Sequence, residues 1–313
     1  MAFKFNICEG TEKKPIKMVV YGAEGLGKTT FASKAPEALI LDTENGSLRI
    51  NCRRIHITSW EMLTDVIKEV IQNPDVCKTL VLDTMDKTES YAISYLCQKF
   101  HKSSIEDWAY GKGYVALQEL FIEFYRLLDK VVDAGINIIV VAHGKPRKFE
   151  LPDQEGAFDR WELKLNKQTS PLLKEWCDCL LFCNYKTLVM STDTGSHKAT
   201  GGKRVLYTTH HPCWDAKNRF GLAEELPLEF DSIKDLFLYE KTEVKEPCYQ
   251  TLSKLLEQNG ITESELQGVV ARKGTYSQET PVSEYEESFI TSWIIPNISK
   301  IQELVVKNRT QNN

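Results

Sequence analysis

Short, nearly continuous apolar runs alternate along this chain with stretches whose apolar residues recur at helical spacing. The runs are Lys17 to Tyr21, Ala38 to Leu41, Thr79 to Leu82, Ile136 to Val141 and Cys179 to Cys183. Runs of this kind read as strands buried on both faces. A short helix is expected from Gly27 to near Pro36. Trp60, Leu63, Val66, Ile67 and Val70 predict a second helix, and Leu117, Leu120, Phe121, Phe124 and Leu128 a longer one before the fourth strand. The alternation predicts an α/β fold with a mainly parallel central sheet covered on both faces.

Beyond Val141 the pattern changes. Gly144 to about Arg160 is charged and broken by proline and glycine, too polar to bury, and is expected to be a mobile loop. Trp161 to Leu165 reads as β structure. A hairpin is expected to pair Lys186 to Ser191 with Arg204 to Thr209 across the turn-rich segment Thr192 to Gly202, extending the sheet. The expected organisation is a core domain over 1–238, a charged linker over 239–247 and a small helical domain over 248–313. Three short helices are expected there, around Leu252, Leu255 and Leu256, around Leu266, Val269 and Val270, and around Phe289, Ile290, Trp293 and Ile294. No tandem repeat is visible, which argues against a solenoid.

The balance of 39 basic against 44 acidic residues gives a net charge of -5, so any contact with nucleic acid must be a local patch. The 9 cysteines are scattered, without the spacing of a secreted disulfide framework. No run is apolar enough for a signal peptide or a membrane span. The expected location is therefore cytoplasmic, with no membrane partner; composition leaves open whether the cytoplasm is a bacterium's or a phage-infected host's.

Gly22, Gly27, Lys28 and Thr29 satisfy G-x-x-x-x-G-K-[ST], with an apolar strand before and a helix-capable segment after. Glycines let the backbone of Gly22, Ala23, Glu24, Gly25, Leu26, Gly27, Lys28, Thr29 and Thr30 fold around phosphates with its N–H groups pointing inward. Lys28 is placed to reach the β- and γ-phosphates, and the Thr29 hydroxyl to bind Mg²⁺. The expected cofactors are ATP and Mg²⁺.

Three further polar groups follow apolar strands. Asp83 closes Thr79 to Leu82 as a Walker B acid beside the Mg²⁺ would, although an Asp there also caps a helix. Asp42, Thr43 and Glu44 close Ala38 to Leu41; Glu44 is the candidate base for an attacking water and Asp42 a structural partner. His143 follows the fourth strand, where it is either a γ-phosphate sensor or a hydrogen-bonded strand-end residue.

With Gly22 to Thr30, Leu41 to Gly46, Leu82 to Thr84, Val140 to His143 and Asp215 to Leu222 in view, the chain resembles the RecA-type recombination ATPases. Within the broad AAA-type group it is most similar to the phage Sak-type single-strand-annealing ATPases. The resemblance covers roughly residues 15 to 230 and implies a RecA-like core. It implies that Glu44 stands where those enzymes carry the catalytic glutamate and Asp83 where they carry the Walker B aspartate. His143 falls where RecA has glutamine. Lys217 and Arg219 look like the cations such ATPases extend across a subunit interface onto the neighbour's ATP, which implies a homo-oligomer. The segment carrying Lys145, Arg147, Lys148, Arg160 and Lys164, with Phe149, Phe158 and Trp161, occupies the place of the DNA-binding loop. Cations for phosphates and aromatics for bases suit single-stranded DNA. A single-strand-binding protein is a further expected partner.

The function expected is ATP hydrolysis in recombination, annealing or repair on single-stranded DNA. The alternatives are a helicase-type motor or helicase loader, a small-molecule P-loop kinase and a P-loop protein that binds without turnover. Cys177, Cys179 and Cys183 near Cys213, His210 and His211 suggest zinc, but the Cys177-x-Cys179 spacing is too short and the strand setting favours cysteine as a small hydrophobe.

Overall fold

Each apolar run forms a strand, and the strands join in one ten-stranded sheet. The computed structural model describes residues 14–150, 156–191, 197–238 and 248–311. In chain order the first elements are β1 (Lys17–Gly22), α1 (Lys28–Ala32), β2 (Ala38–Asp42), β3 (Arg53–His56), α2 (Trp60–Gln72), β4 (Thr79–Asp83) and α3 (Met85–Lys99). They are followed by α4 (Lys112–Asp133), β5 (Asn137–Glu150), β6 (Ala157–Leu163), α5 (Thr169–Trp176), β7 (Cys179–Ser191), β8 (His197–Tyr207), β9 (Lys217–Asn218) and β10 (Glu225–Pro227). The sheet order is β10-β8-β7-β1-β5-β4-β2-β3, with β6 on β5 and β9 on β7. The run from β7 to β3 is parallel throughout, and β6, β8, β9 and β10 pair antiparallel.

Successive residues of each central strand enter opposite cores, which is why the runs are apolar at every position. Val19, Tyr21, Leu41, Leu82, Val140 and Phe182 pack beneath α2, α3, α4 and α5. Met18, Val20, Ile40, Val81, Val141 and Leu181 pack on the other face with Phe31 of α1 and with Phe230 and Phe237. On α2 and α4 the buried stripe is Trp60, Leu63, Ile67 and Val70 against Leu117, Phe121, Phe124 and Leu128. Each such side chain removed from water contributes about 1.5–3 kcal/mol. No helix among the described residues is long and apolar enough to cross a membrane.

Register decides where the strands end together. Gly22 lies opposite both His143 and Cys183, and Asp42 opposite Asp83, which in turn faces Val141. The phosphate loop and all the strand-end polar groups therefore share one edge of the sheet.

Several expectations need correction. Gly144 to Arg160 is not a loop: β5 continues to Glu150 and β6 returns beside it, while 151–155 lie outside the described residues. Cross-strand pairs hold this polar hairpin, with Lys148 3.1 Å from Asp159 and the rings of Phe149 and Phe158 5.7 Å apart. The second hairpin forms in another register: Lys186 to Ser191 pair with His197 to Lys203, and Arg204 to Tyr207 pair with Phe182 to Tyr185. Its strands are longer than their apolar parts, because an antiparallel ladder needs backbone groups rather than hydrophobic side chains. The tip, 192–196, lies outside the described residues.

By contact the chain divides into two units, Met1–Tyr239 and Glu240–Asn313; the linker expected at 239–247 lies outside the described residues. The second unit has its own core of Leu252, Leu256, Leu266, Val270, Ile290, Ile294 and Ile301. It contains α6 (Cys248–Gln258), α7 (Glu263–Lys273), a turn of helix α8 (Glu287–Phe289) running into a π-turn over Ile290–Ile294, and α9 (Ile298–Gln311), a helix not expected from the sequence. A capping box of Thr262 and Glu265 starts α7, and Gly274 in the left-handed region ends it.

The closest approach in the sheet yields a prediction. A Cβ on Gly22 would stand 2.0 Å from the Cys183 carbonyl oxygen and 2.8 Å from its Sγ, inside a fixed pair of strands. Gly22→Ala is expected to cost about 1–3 kcal/mol, as overpacking a filled site does. Chemical denaturation measures this; unchanged midpoints would mean that β1 and β7 part freely.

Candidate functional site

Where β1 ends, the chain turns through Gly25 and Gly27, both at positive φ (75° and 95°), and enters α1. Lys28 is buried, and its Nζ donates to the carbonyls of Gly22 at 3.1 Å and Ala23 at 2.7 Å, so the ammonium is held inside the curve of its own loop. Burial lowers its pKa, against the pull of Cys183 and the carboxylates of Asp83 and Asp86. Of the loop's other side chains, Leu26 is buried in the core and Glu24 faces outward, reaching Lys164 at 3.2 Å.

Thr29, in the first turn of α1, donates its hydroxyl to Asp83 Oδ2 at 2.7 Å. Asp83 is itself buried. Burial pushes its carboxyl up to about 6; the Thr29 bond lowers it, Asp42 and Glu44 raise it, and Lys28 lowers it. A buried acid destabilised in its charged form and touching a hydroxyl is an oxygen pair suited to a hard divalent cation. The residues present thus fit Mg²⁺.

The turn after β2 separates its two acids. Asp42 is buried and accepts from the backbone N–H of Glu44 at 3.1 Å, Gly46 at 3.2 Å and Ser47 at 3.0 Å, and from the Ser47 hydroxyl. Burial raises its pKa, but these hydrogen bonds more than compensate and leave it lowered. Asp42 thereby builds the turn that projects Glu44, whose exposed carboxylate accepts from the Thr84 hydroxyl at 3.1 Å. Thr84 also caps α3, and Thr43 bonds the Asp83 carbonyl at 3.0 Å and the Thr84 N–H at 2.8 Å, locking the ends of β2 and β4 together. The Asp83–Thr84 peptide is cis.

His143 enters from β5. Its backbone N–H donates to Asp86 Oδ1 at 3.0 Å and its Nδ1 lies 2.9 Å from Asp86 Oδ2, which leaves Nε2 for another partner. Asp86 raises the His143 pKa through that hydrogen bond, against burial. Asp86 is raised by burial but lowered overall by its bonds with His143. One ligand atom each from Glu44, Asp86 and His143 falls within 4.8 Å of the others. Together Lys28, Thr29, Glu44, Asp83, Thr84 and His143 line a cavity of about 300 Å³.

Asp86 was not found from the sequence. The readable signal was an acid in the first turn of the helix that follows a strand-end aspartate. Thr84 was missed for the same reason: α3 has too little apolar periodicity to be recognised as a helix.

Lys217 and Arg219 are not brought to this cavity in their own chain. They lie where β9 meets the start of β7, and Lys217 Nζ donates to the carbonyls of Lys174 at 3.1 Å, Glu175 at 3.2 Å and Cys177 at 2.6 Å. Arg219 pairs with Asp178 at 3.1 Å. Among the candidate DNA contacts, Lys145 and Lys148 are exposed on the β5–β6 hairpin, while Arg147 donates to the Leu165 carbonyl at 3.0 Å. Arg160 is only 8% exposed, ion-paired to Asp215 and set over the Phe149 ring at 4.9 Å, so it serves the hairpin rather than its surface. Cys177, Cys179 and Cys183 are buried, with thiols pushed up to about 11, 12 and 12 by burial. Among the described residues neither they nor Cys213 join a cluster of potential metal ligands.

A family model described as "AAA domain" matches residues 14–220. The chain is also 27% identical over 147 residues to the SPbeta prophage-derived uncharacterized protein YorG of Bacillus subtilis (strain 168), over 45% of this chain and 44% of that protein. The chain thus spans less than half the length of the curated relative it matches.

The Asp86–His143 pair makes a pH-dependent prediction. Because the folded His143 pKa lies above its ordinary 6.5, its contribution to stability is complete below that value and fades as pH rises through the raised pKa. Asp86 lies below its ordinary 3.8, so its contribution is present above that value and is lost as pH falls through the lowered pKa. In an imidazole NMR titration, His143 of Asp86→Asn is expected to titrate below the wild-type value. Identical titrations would show that the pair does not hold the proton.

Proposed function

The chain belongs to the AAA-domain family, and from that membership we propose that it binds and hydrolyses Mg²⁺–ATP in acting on single-stranded DNA during phage recombination, annealing or repair. The observation that carries the ATPase reading is the convergence of Lys28, the Thr29–Asp83 pair, Glu44 and His143 on one cavity, from beyond the ends of β1, β2 and β4 and from within β5. In this reading Lys28 gives up its two loop carbonyls and neutralises phosphate charge. Thr29 and Asp83 hold the cation. The Mg²⁺, when bound, supplies charge neutralisation at the phosphate oxygens. Glu44, exposed and oriented by Thr84, accepts the proton of the attacking water. Nε2 of His143 meets the terminal phosphate while Asp86 fixes the ring.

The phage and DNA parts of the reading draw on the prophage-derived relative, the resemblance to annealing ATPases and the exposed Lys145 and Lys148. A homo-oligomer belongs to the same reading, with Lys217 and Arg219 acting on a neighbour's nucleotide. For Arg219 this means exchanging Asp178 for phosphate, an exchange between a surface pair and a more highly charged partner.

The test is ATP turnover with and without single-stranded DNA. Lys28→Ala is expected to lose most ATP binding with the fold retained. Glu44→Gln should still bind ATP but hydrolyse it ~10² to 10⁴-fold more slowly, the usual scale of a general base. Wild-type turnover in either variant removes that residue from the mechanism, and turnover indifferent to DNA removes the DNA-stimulated part.

Action across subunits has its own measurement. Arg219→Ala is expected to lose ~10³ to 10⁵ in rate, as an arginine finger does. Mixed with Lys28→Ala protein it should regain activity, because each partner supplies what the other lacks. Native-size mixed oligomers that stay inactive would rule out a finger in trans.

A further inference from the structure

A cavity of about 560 Å³ opens beside the β5–β6 hairpin and the first turn of α5, and none of the residues lining it lines the phosphate cavity. Four cations reach it: Arg147 and Lys148 from β5, Lys167 from the turn before α5 and Lys174 from α5 itself. Against them stands a single carboxylate, Glu162. The apolar wall is Phe149, Leu163, Leu165 and Pro171.

Pairing sorts these charges. Lys148 lies 3.1 Å from Asp159. Lys174 and Arg160 are both paired to Asp215, and the Arg160 Nε lies 3.7 Å from Glu162. Those cations and acids balance one another. Arg147 and Lys167 have no carboxylate partner among the described residues, so the cavity keeps an excess of two positive charges. Arg147 donates through Nη2 to the Leu165 carbonyl at 3.0 Å, which anchors the guanidinium beside the wall and leaves its other N–H groups without a partner among the described residues.

An uncharged donor completes the set. Ser170 is only 8% exposed and lines the cavity, and its hydroxyl has no hydrogen-bond partner among the described residues. Buried polar groups are rarely left so without a ligand or water to satisfy them. Ser170 also stands in the first turn of α5, the end of a helix at which negative charge is favoured.

We propose that this cavity binds a phosphomonoester, whose oxygens take the N–H groups of Arg147, the Lys167 ammonium and the Ser170 hydroxyl while its organic group lies against Phe149 and the two leucines. The charge excess selects the monoester. A phosphomonoester carries about 1.5 to 2 negative charges at pH 7, whereas each internal phosphodiester of a nucleic acid carries one. The apolar wall favours an organic ester over bare phosphate, which would leave it uncovered. The site is separate from the phosphate loop and does not depend on what that loop binds.

Calorimetry on the full chain tests it with thymidine 5′-monophosphate, thymidine and inorganic phosphate. The monophosphate is expected to bind and thymidine not to; equal binding of the two overturns the role of the dianion. Inorganic phosphate is expected to bind about tenfold more weakly than the monophosphate, and equal affinities overturn the role of the apolar wall. Lys167→Glu, at an exposed position, should weaken the monophosphate by about tenfold or more, and Ser170→Ala by about threefold or more. Lys28→Ala, which alters the phosphate loop, should leave it within about twofold. The reverse pattern, with loss in Lys28→Ala and none in the cavity variants, puts the ligand in the phosphate loop and overturns the proposal. A free nucleotide and the 5′ end of a DNA strand both carry the monoester, and oligothymidylate with and without a 5′-phosphate separates them. A preference for the phosphorylated DNA that disappears in Lys167→Glu supports the proposal with a DNA end as ligand; no preference, with the monophosphate still bound, supports it with a free nucleotide. Tighter binding of an Asp-Asp dipeptide than of the monophosphate overturns it in favour of an acidic peptide.

Discussion

Everything polar in this site stands where the apolar runs of the sheet end. The central strands are apolar on both faces, and an isolated charge placed within them would lack both water and a partner. Parallel register then aligns the points at which those runs end, so Gly22, Asp42, Asp83 and His143 fall along one edge although they span residues 22 to 143 of the sequence. The site is in this sense a by-product of the sheet's hydrophobicity. At the strand that begins the phosphate loop, Gly22 pairs with Cys183 too closely to admit a side chain.

Four carboxylates gather there, and their surroundings give each a different task. Asp42 accepts several hydrogen bonds, which fix its charge and make it part of the turn. Asp86 is held ionised by His143. Asp83, buried beside two other acids, is raised to about 6 and gains most from a cation. Glu44 is the exposed one. Acids so close cannot all be equivalent, and the differences follow from who donates to whom rather than from distance to the phosphate loop.

The sequence made the central strands, α2, α4 and the phosphate loop legible because each leaves a hydrophobic period or a glycine pattern. What escaped were elements held by something else. β3 is Arg53–His56, an edge strand with almost no apolar signal, fixed by pairing with β2. The buried face of α3 includes Thr88 and Glu89, so its helical period is partly written in polar residues. The β5–β6 hairpin looked like a loop because its cohesion lies in backbone pairing and cross-strand contacts. Asp86 was invisible in consequence, since its role depends on α3 being a helix that faces β5. The bond from Arg204 to the Leu26 carbonyl likewise joins residues separated by nearly the whole core, a contact that no local pattern signals.

The same contacts decide what the β5–β6 hairpin is fastened to. One tie runs to the phosphate loop through Lys164 and Glu24, but both side chains are well exposed, and such a pair is weak and screened by salt. The other runs to α3: Glu89 is buried and accepts from the Asn166 backbone and side chain and from the Thr169 hydroxyl, just beyond the hairpin's end. Breaking it would strand a buried acid, which is the more costly outcome. The hairpin's own strands are joined at the same level, where the His143 carbonyl on β5 accepts from the N–H of Lys164, just beyond β6, at 2.8 Å while the His143 ring pairs with Asp86. Asp86 and Glu89 sit one turn apart on α3. The hairpin's base is thus fastened to α3 by the half-buried and buried bonds of Asp86 and Glu89, and to the phosphate loop only by a weaker, exposed pair.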